Sequence, residues 1–216
     1  MEYYIAKCIV IGDSGSGKTS ITQRLVKGFK HKMKPEHDVT IGVDFDTYYS
    51  KVKYGIPPEA EVGVKMQIWD TAGQECFKAI IRSYYTHANI CFIVYDVSNR
   101  DSYMNVPGWH KELISRIDDT SAVLVVLCAN KTDVINRSVS LDEGEEFARD
   151  NGLLYTETSA LTSVNSIIDT FEMALCEYVK RNGLNKLRRY NTSRVGLLSD
   201  STKPSGYCGG ASSRCG

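Results

Sequence analysis

The chain has 216 residues, no formal net charge, 42% apolar and 24% charged residues, values that suit one globular domain with an appendage and exclude bulk disorder. Its longest apolar runs, NICFIVYDV and SAVLVVLCAN, fall short of the roughly 20 residues of a membrane-spanning helix. The start MEYYIAKCIVIG has no basic n-region, so no cleavable signal peptide is expected and the chain is expected in the cytoplasm. The charge balance conceals an asymmetry: residues 182–216 hold six basic side chains against Asp200 alone, a net of +5, which leaves −5 on residues 1–181.

In chain order, YIAKCIVIG predicts a strand and KTSITQRLVK a helix. Two further strands, VDFDTYYSKVKYG and VGVKMQIWD, are expected as a hairpin joined by the long connection GIPPEAE. ICFIVYDV and AVLVVLCAN are unbroken apolar runs, as strands buried on both faces require. Helices are expected around YMNVPGWHKELISRI and SLDEGEEFARDN, the second opened by Ser140 with Glu143 three residues on, the spacing of a capping box. A strand LYTETSA follows, then a helix SVNSIIDTFEMALCEYVKR whose Val164, Ile167, Ile168, Phe171, Ala174, Leu175 and Tyr178 form one apolar stripe. This alternation predicts an α/β domain, a mostly parallel six-stranded sheet with helices on both faces, spanning residues 1–181. Residues 182–216, rich in Gly, Ser, Asn and Thr without periodicity, read as a flexible basic tail. The seven cysteines form no Cys-x-x-Cys pair, and Cys8, Cys91 and Cys128 fall inside strand-like runs, so they read as small apolar side chains.

Chemistry concentrates in two places. GDSGSGKTS, between the first strand and the first helix, fits G-x-x-x-x-G-K-[ST] with Gly12, Gly17, Lys18 and Thr19. Glycines let backbone N–H groups approach phosphate oxygens, the helix dipole favours their charge, the lysine reaches the β- and γ-phosphates and the threonine hydroxyl suits Mg2+. The second place, NKTD at residues 130–133, follows a strand at its carboxyl end, where open α/β sheets bind ligands. Asp133 there can accept from guanine N1–H and the 2-amino group together, a donor pair that adenine lacks.

Five segments in this order, GDSGSGKTS, TIGVDF, WDTAGQE, NKTD and ETSA, resemble the G-boxes of the Ras superfamily, most closely its Rab branch, over about residues 5–181. The resemblance implies a GTPase that binds GTP or GDP with Mg2+. It implies that Ser14, Gly15, Ser16, Gly17, Lys18, Thr19 and Ser20 form the phosphate loop. Thr40 corresponds to the switch I threonine on Mg2+ and the γ-phosphate, and Asp70 to the carboxylate that holds Mg2+ through water. Gly73 corresponds to the switch II glycine that senses the γ-phosphate, and Gln74 to the glutamine that orients the attacking water. Asn130, Lys131, Asp133, Ser159 and Ala160 would form the guanine pocket. Expected partners are an exchange factor, a GAP and effectors at the switch segments, with no nucleic acid. Since no matched motif assigns an arginine to the γ-phosphate, slow intrinsic turnover is expected.

The chain departs from the Rab pattern in places. FKHKMKPEHDV, between Gly28 and Thr40, is longer and more basic than a usual switch I, so Phe29 either stacks on guanine or anchors the first helix. KYGIPPEAEVG is also lengthened, a change of small entropic cost. YMNVPGWHKEL resembles the matching helix of Ran, but Ran-like chains end in an acidic tail. The basic tail with Cys208 and Cys215 suggests prenylation and peripheral attachment to the cytosolic face of endomembranes, although RCG matches neither C-a-a-X nor paired terminal cysteines. The reading that follows is a Rab-like switch in vesicle trafficking. A Ran-like transport GTPase, a GTP-binding scaffold without turnover and an ATP-dependent P-loop enzyme are the alternatives.

Overall fold

A computed structural model describes residues 2–28, 40, 42–55, 60–71, 84–117 and 119–191. Strand β1 (Glu2–Ile11) leads through the glycine-rich loop into helix α1 (Lys18–Lys27). Strands β2 (Val43–Tyr54) and β3 (Ala60–Thr71) pair antiparallel, as the expected hairpin. Then come β4 (Ile90–Asp96), helices α2 (Arg100–Met104) and α3 (Val106–Ile114), β5 (Leu124–Asn130), α4 (Leu141–Asp150), β6 (Leu154–Thr158), α5 (Val164–Asn182) and a short β7 (Arg188–Asn191).

The strand order is β2-β3-β1-β4-β5-β6, with β1, β3, β4, β5 and β6 parallel. β4 and β5 are buried at every residue, because helices pack on both faces and neither face can be polar. One core cluster joins Val10, Met66, Phe92 and Val126 to Ile21 and Leu25 of α1 and to Phe171, Leu175 and Tyr178 of α5. The other joins Ile9, Ile11, Ile93 and Leu127 to Val106, Trp109 and Leu113 of α3 and Ala148 of α4. The apolar stripe of α5 is thus its packing face, with Ile167, Phe171, Ala174 and Leu175 fully buried. Ser140 and Glu143 form both bonds of the capping box at the start of α4.

Two elements differ from the sequence expectation. The helix anticipated around residues 103–117 is broken at Asn105 into α2 and α3. Pro107 has no N–H to continue the hydrogen bonds of α2, but fits the first turn of a new helix, where that donor would have no partner anyway. A seventh strand, β7, also joins the sheet, from residues that read as tail: Glu2–Ile5 of β1 pair antiparallel with Asn191–Arg188. β4 pairs with β1 only from Cys8 to Ile11, which leaves the early backbone groups of β1 for β7 to satisfy. Residues 192–216 lie outside the described residues. Among the described residues no helix is long and apolar enough to cross a membrane.

Candidate nucleotide and cation site

The loop from Gly12 to Gly17 stands at the carboxyl end of β1, between the ends of β3 and β4. Two of its glycines are required by their surroundings. Gly12 has φ +137°, and a Cβ there would lie 2.1 Å from the carbonyl oxygen of Val94. Gly17 has φ +94°, and a Cβ there would lie 2.2 Å from Nδ2 of Asn130. Gly17 also precedes α1 without a side-chain cap, and the first turn of α1 carries no acidic residue. The first amides of the helix therefore stay available to an anion, whose charge the helix dipole favours.

Lys18 is buried and folds back over the loop, donating from Nζ to the carbonyls of Gly12 (2.9 Å) and Asp13 (2.8 Å). Burial pulls its pKa down to about 8, against the opposing charges of Asp70 and Asp13. A buried cation whose partners among the described residues are carbonyls is poised to donate to phosphate oxygens instead.

Thr19, Thr40 and Asp70 converge from α1, the segment before β2 and the end of β3. The Thr19 hydroxyl lies 2.7 Å from that of Thr40 and donates to Oδ2 of Asp70 at 2.6 Å. Oδ1 of Asp70 is buried and has no hydrogen-bond partner among the described residues. Burial raises the Asp70 pKa to about 6, countered by the Thr19 hydrogen bond and Lys18 and reinforced by Asp44 and Asp46. Two hydroxyls and a carboxylate with an unused oxygen fit a hard divalent cation such as Mg2+, which takes oxygen donors and shares its shell with phosphates and water.

On the other side of the loop, Asn130 ends β5 and is 1% exposed. Its Nδ2 donates to the Ser16 carbonyl at 2.9 Å, and its Oδ1 accepts from the Thr158 hydroxyl at 3.1 Å. Lys131 adopts φ +65°, an unfavourable region for a side chain with Cβ; its Nζ pairs with Oδ2 of Asp96 at 2.6 Å. Burial opposes ionisation of Asp96, but the bonds from Lys131 and Ser98 outweigh it and hold its pKa below the usual carboxylate value. Asp133 is exposed and accepts from the Ser159 hydroxyl at 2.5 Å. That hydroxyl is itself positioned by the amide and hydroxyl of Thr162. Ala160 offers its carbonyl to Nε of Arg24 at 2.8 Å, which ties this loop to α1.

The structure thus brings together Lys18, Thr19, Thr40 and Asp70 at one end of the loop, and Asn130, Lys131, Asp133, Ser159 and Ala160 at the other. Ser14 and Gly15 are exposed at its tip, Ser16 is buried beneath it, and Ser20 lies in the first turn of α1. Gly73, Gln74, Phe29, Cys208 and Cys215 lie outside the described residues.

Sequence reasoning missed several contributors. Thr158 joins the NKTD and ETSA segments, donating to Asn130 and accepting at its carbonyl from Thr132. Phe45, paired across the hairpin with Trp69, meets it edge-on at 4.8 Å, and Tyr84 lies 5.1 Å beyond. Phe45 is 44% exposed, so this aromatic row reaches the surface, and because side chains alternate along a strand it leaves the opposite face of β3 from Asp70, the neighbour of Trp69. VDF and QIWD are both visible in the sequence, but the hairpin register alone sets these rings side by side. Asp13 bonds to Asn105 and Trp109, a contact across the fold with no local signal.

Residues 7–180 match the Ras family. The chain is also 38% identical over 203 residues to the Ras-related protein Rab-42 of Mus musculus, a match covering 93% of this chain and 90% of that one. This chain therefore belongs to the Ras family and is a small, Rab-like GTPase.

Proposed function

We propose that this GTPase is a slow molecular switch in vesicle or membrane trafficking, cycling between GTP- and GDP-bound forms on the cytosolic face of an endomembrane. The observation that carries the switch reading is the meeting of Thr19, Thr40 and Asp70, because it joins the phosphate loop to the segment before β2 through groups that a cation and a γ-phosphate would share. Thr19 and Thr40 would ligate Mg2+ and Asp70 would hold it through water; bound there, Mg2+ supplies charge neutralisation at the β- and γ-phosphates. Lys18 exchanges the carbonyls of Gly12 and Asp13 for phosphate oxygens. Asp133, held by Ser159, accepts from the guanine edge, and Asn130 keeps the loop in register with that pocket. Gln74 would orient the attacking water and Gly73 would sense the γ-phosphate.

When the γ-phosphate is lost, Thr40 loses a ligand partner and its segment is free to change which proteins bind. Exposed Phe45, backed by the half-buried rings of Trp69 and Tyr84, offers an apolar surface beside that segment for an effector. No arginine is assigned to the transferring phosphoryl group, so intrinsic turnover is slow and a GAP supplies up to about 10^5-fold. β7 brings the chain to the opposite end of β1 from the phosphate loop before residue 192, so a lipidated tail would leave from the side away from the nucleotide. Intact mass from the native cell tests that attachment: a prenyl increment on Cys208 or Cys215 is expected, and unmodified mass removes the membrane part.

The deciding experiment identifies the nucleotide retained by the purified protein, then follows single-turnover GTP hydrolysis with Mg2+ in wild type and Gln74→Leu. Bound guanine nucleotide and slow hydrolysis that Gln74→Leu suppresses further are expected. Guanine nucleotide with no hydrolysis in either protein would make the chain a scaffold, and adenine nucleotide would overturn both readings.

A further inference from the structure

Asp13 is the second residue of the phosphate loop, and its side chain is held from across the fold. Its Oδ1 accepts from the indole Nε1 of Trp109 at 2.6 Å and its Oδ2 from Nδ2 of Asn105 at 2.7 Å. Both donors come from the corner where α2 meets α3. Asn105 occupies the position where a side chain ordinarily caps α3, yet it makes no cap bond and reaches Asp13 instead. Trp109 lies one turn on, its amide bonded to the Asn105 carbonyl at 3.1 Å, so the two donors share a helix face. The indole is 4% exposed, set in the core with Leu113 and Val106, and so is a fixed donor.

The main chain of Asp13 meanwhile serves the loop. Its carbonyl accepts from Lys18 Nζ at 2.8 Å and from the Ser16 amide at 3.3 Å. One residue thus carries both the lysine rest position and the attachment to α3. A carboxylate in a loop that receives phosphates is electrostatically adverse. Two donors that engage both its oxygens spread that charge and fix the direction in which it points.

We propose that Asn105 and Trp109 are positioning residues of the phosphate loop: by holding Asp13 they set how fast a bound nucleotide leaves. The inference rests on the guanine-nucleotide reading above. It makes the α2–α3 corner part of the nucleotide machinery although neither residue belongs to a nucleotide-binding motif.

The test follows release of a fluorescent GDP analogue from the full chain in wild type, Trp109→Phe and Asn105→Asp, at low and high salt. Trp109→Phe keeps most of the buried volume but removes one hydrogen bond to a charged acceptor, and release roughly tenfold faster or more is expected. Asn105→Asp, at an exposed position that tolerates the change in the fold, sets a like charge beside Asp13. Its release is also faster, and the acceleration shrinks at high salt, a dependence that loss of packing alone does not produce. In 15N-tryptophan-labelled protein, the indole resonance absent from Trp109→Phe is expected to move when GDP is removed. Unchanged release in the variants overturns the inference, and an indole signal indifferent to nucleotide counts the same way. If Trp109→Phe does not fold, Asn105→Asp and the wild-type indole signal decide. Wild type that retains no guanine nucleotide overturns this inference and the reading beneath it together, whereas retention with unchanged release overturns this one alone.

Discussion

The side-chain amide of Asn130 rests on the phosphate loop at two neighbouring residues: Nδ2 bonds to the Ser16 carbonyl at 2.9 Å and occupies the place a Cβ on Gly17 would need, 2.2 Å away. The glycine of one motif and the asparagine of the other are therefore a single steric unit. Gly17→Ala is expected to displace Asn130 and strain a backbone at φ +94°, at a combined cost of about 2–4 kcal/mol. Denaturant unfolding of Gly17→Ala, Asn130→Ala and the double variant checks this. The double variant should recover the clash but not the backbone strain, so a strictly additive pair would count against the contact.

Ser16 makes the opposite case. Its hydroxyl is fully buried and has no hydrogen-bond partner among the described residues, a group whose desolvation none of them offsets. Ser16→Ala is expected to stabilise the nucleotide-free protein by about 1 kcal/mol, seen as a higher urea midpoint at constant slope. A loss of stability would mean that the hydroxyl has a partner.

Lys18 links nucleotide binding to protons. Burial lowers its pKa to about 8 in the nucleotide-free protein, so folding favours its neutral form. This group's contribution to stability is absent at low pH and grows as pH rises from about 8 toward its unfolded value near 10.5. Phosphate oxygens favour the charged form. Binding at about pH 8.5 should therefore take up protons, and affinity should fall as pH rises through this range. Calorimetry in buffers of different ionisation enthalpy measures that uptake, and Lys18→Met should abolish it. Identical enthalpies across buffers in wild type would refute the linkage.

The ionised form of Asp70 is costly to the ligand-free fold, as suits the cation role proposed for it. Burial lifts its pKa to about 6 from 3.8, so its stabilising contribution is full below about pH 4 and lost as pH rises through 6. At neutral pH the ionised group costs on the order of 2–3 kcal/mol without a cation. Asp70→Asn should recover part of this in nucleotide-free protein with chelator. The same substitution should weaken Mg2+-dependent retention of nucleotide, making release insensitive to chelation. A variant that is destabilised without ligand, yet retains nucleotide in a Mg2+-dependent way, would contradict this assignment.

Phe45 and Trp69 test the proposed effector surface. Phe45→Ala removes an exposed ring that meets Trp69 at 4.8 Å and should lower stability by about 1 kcal/mol or less, while abolishing capture of partners that bind only the GTP form. GTP-dependent capture undiminished in Phe45→Ala would place the effector surface elsewhere.

The sequence by itself determined the order of β1 to β6 and of the helical segments between them, the apolar face of α5 and the cap at Ser140, and it singled out Lys18, Thr19, Asp70, Asn130 and Asp133, which the fold brings to the two sides of one loop. These are local matters: periodicity, turn chemistry and the spacing of a loop between a strand and a helix are written within a few residues. Pro107 was equally visible, and its missing N–H explains why α2 and α3 are two helices. What only the tertiary structure decided involves partners far apart in the chain. Asn130 against Gly17, Trp109 and Asn105 on Asp13, Phe45 beside Trp69 and β7 along β1 each depend on sheet order and register. No property of either partner alone encodes such a distance, because parallel neighbours in this sheet are set by crossovers through the helices, and the antiparallel pairs β2–β3 and β1–β7 by a register that neither strand carries alone.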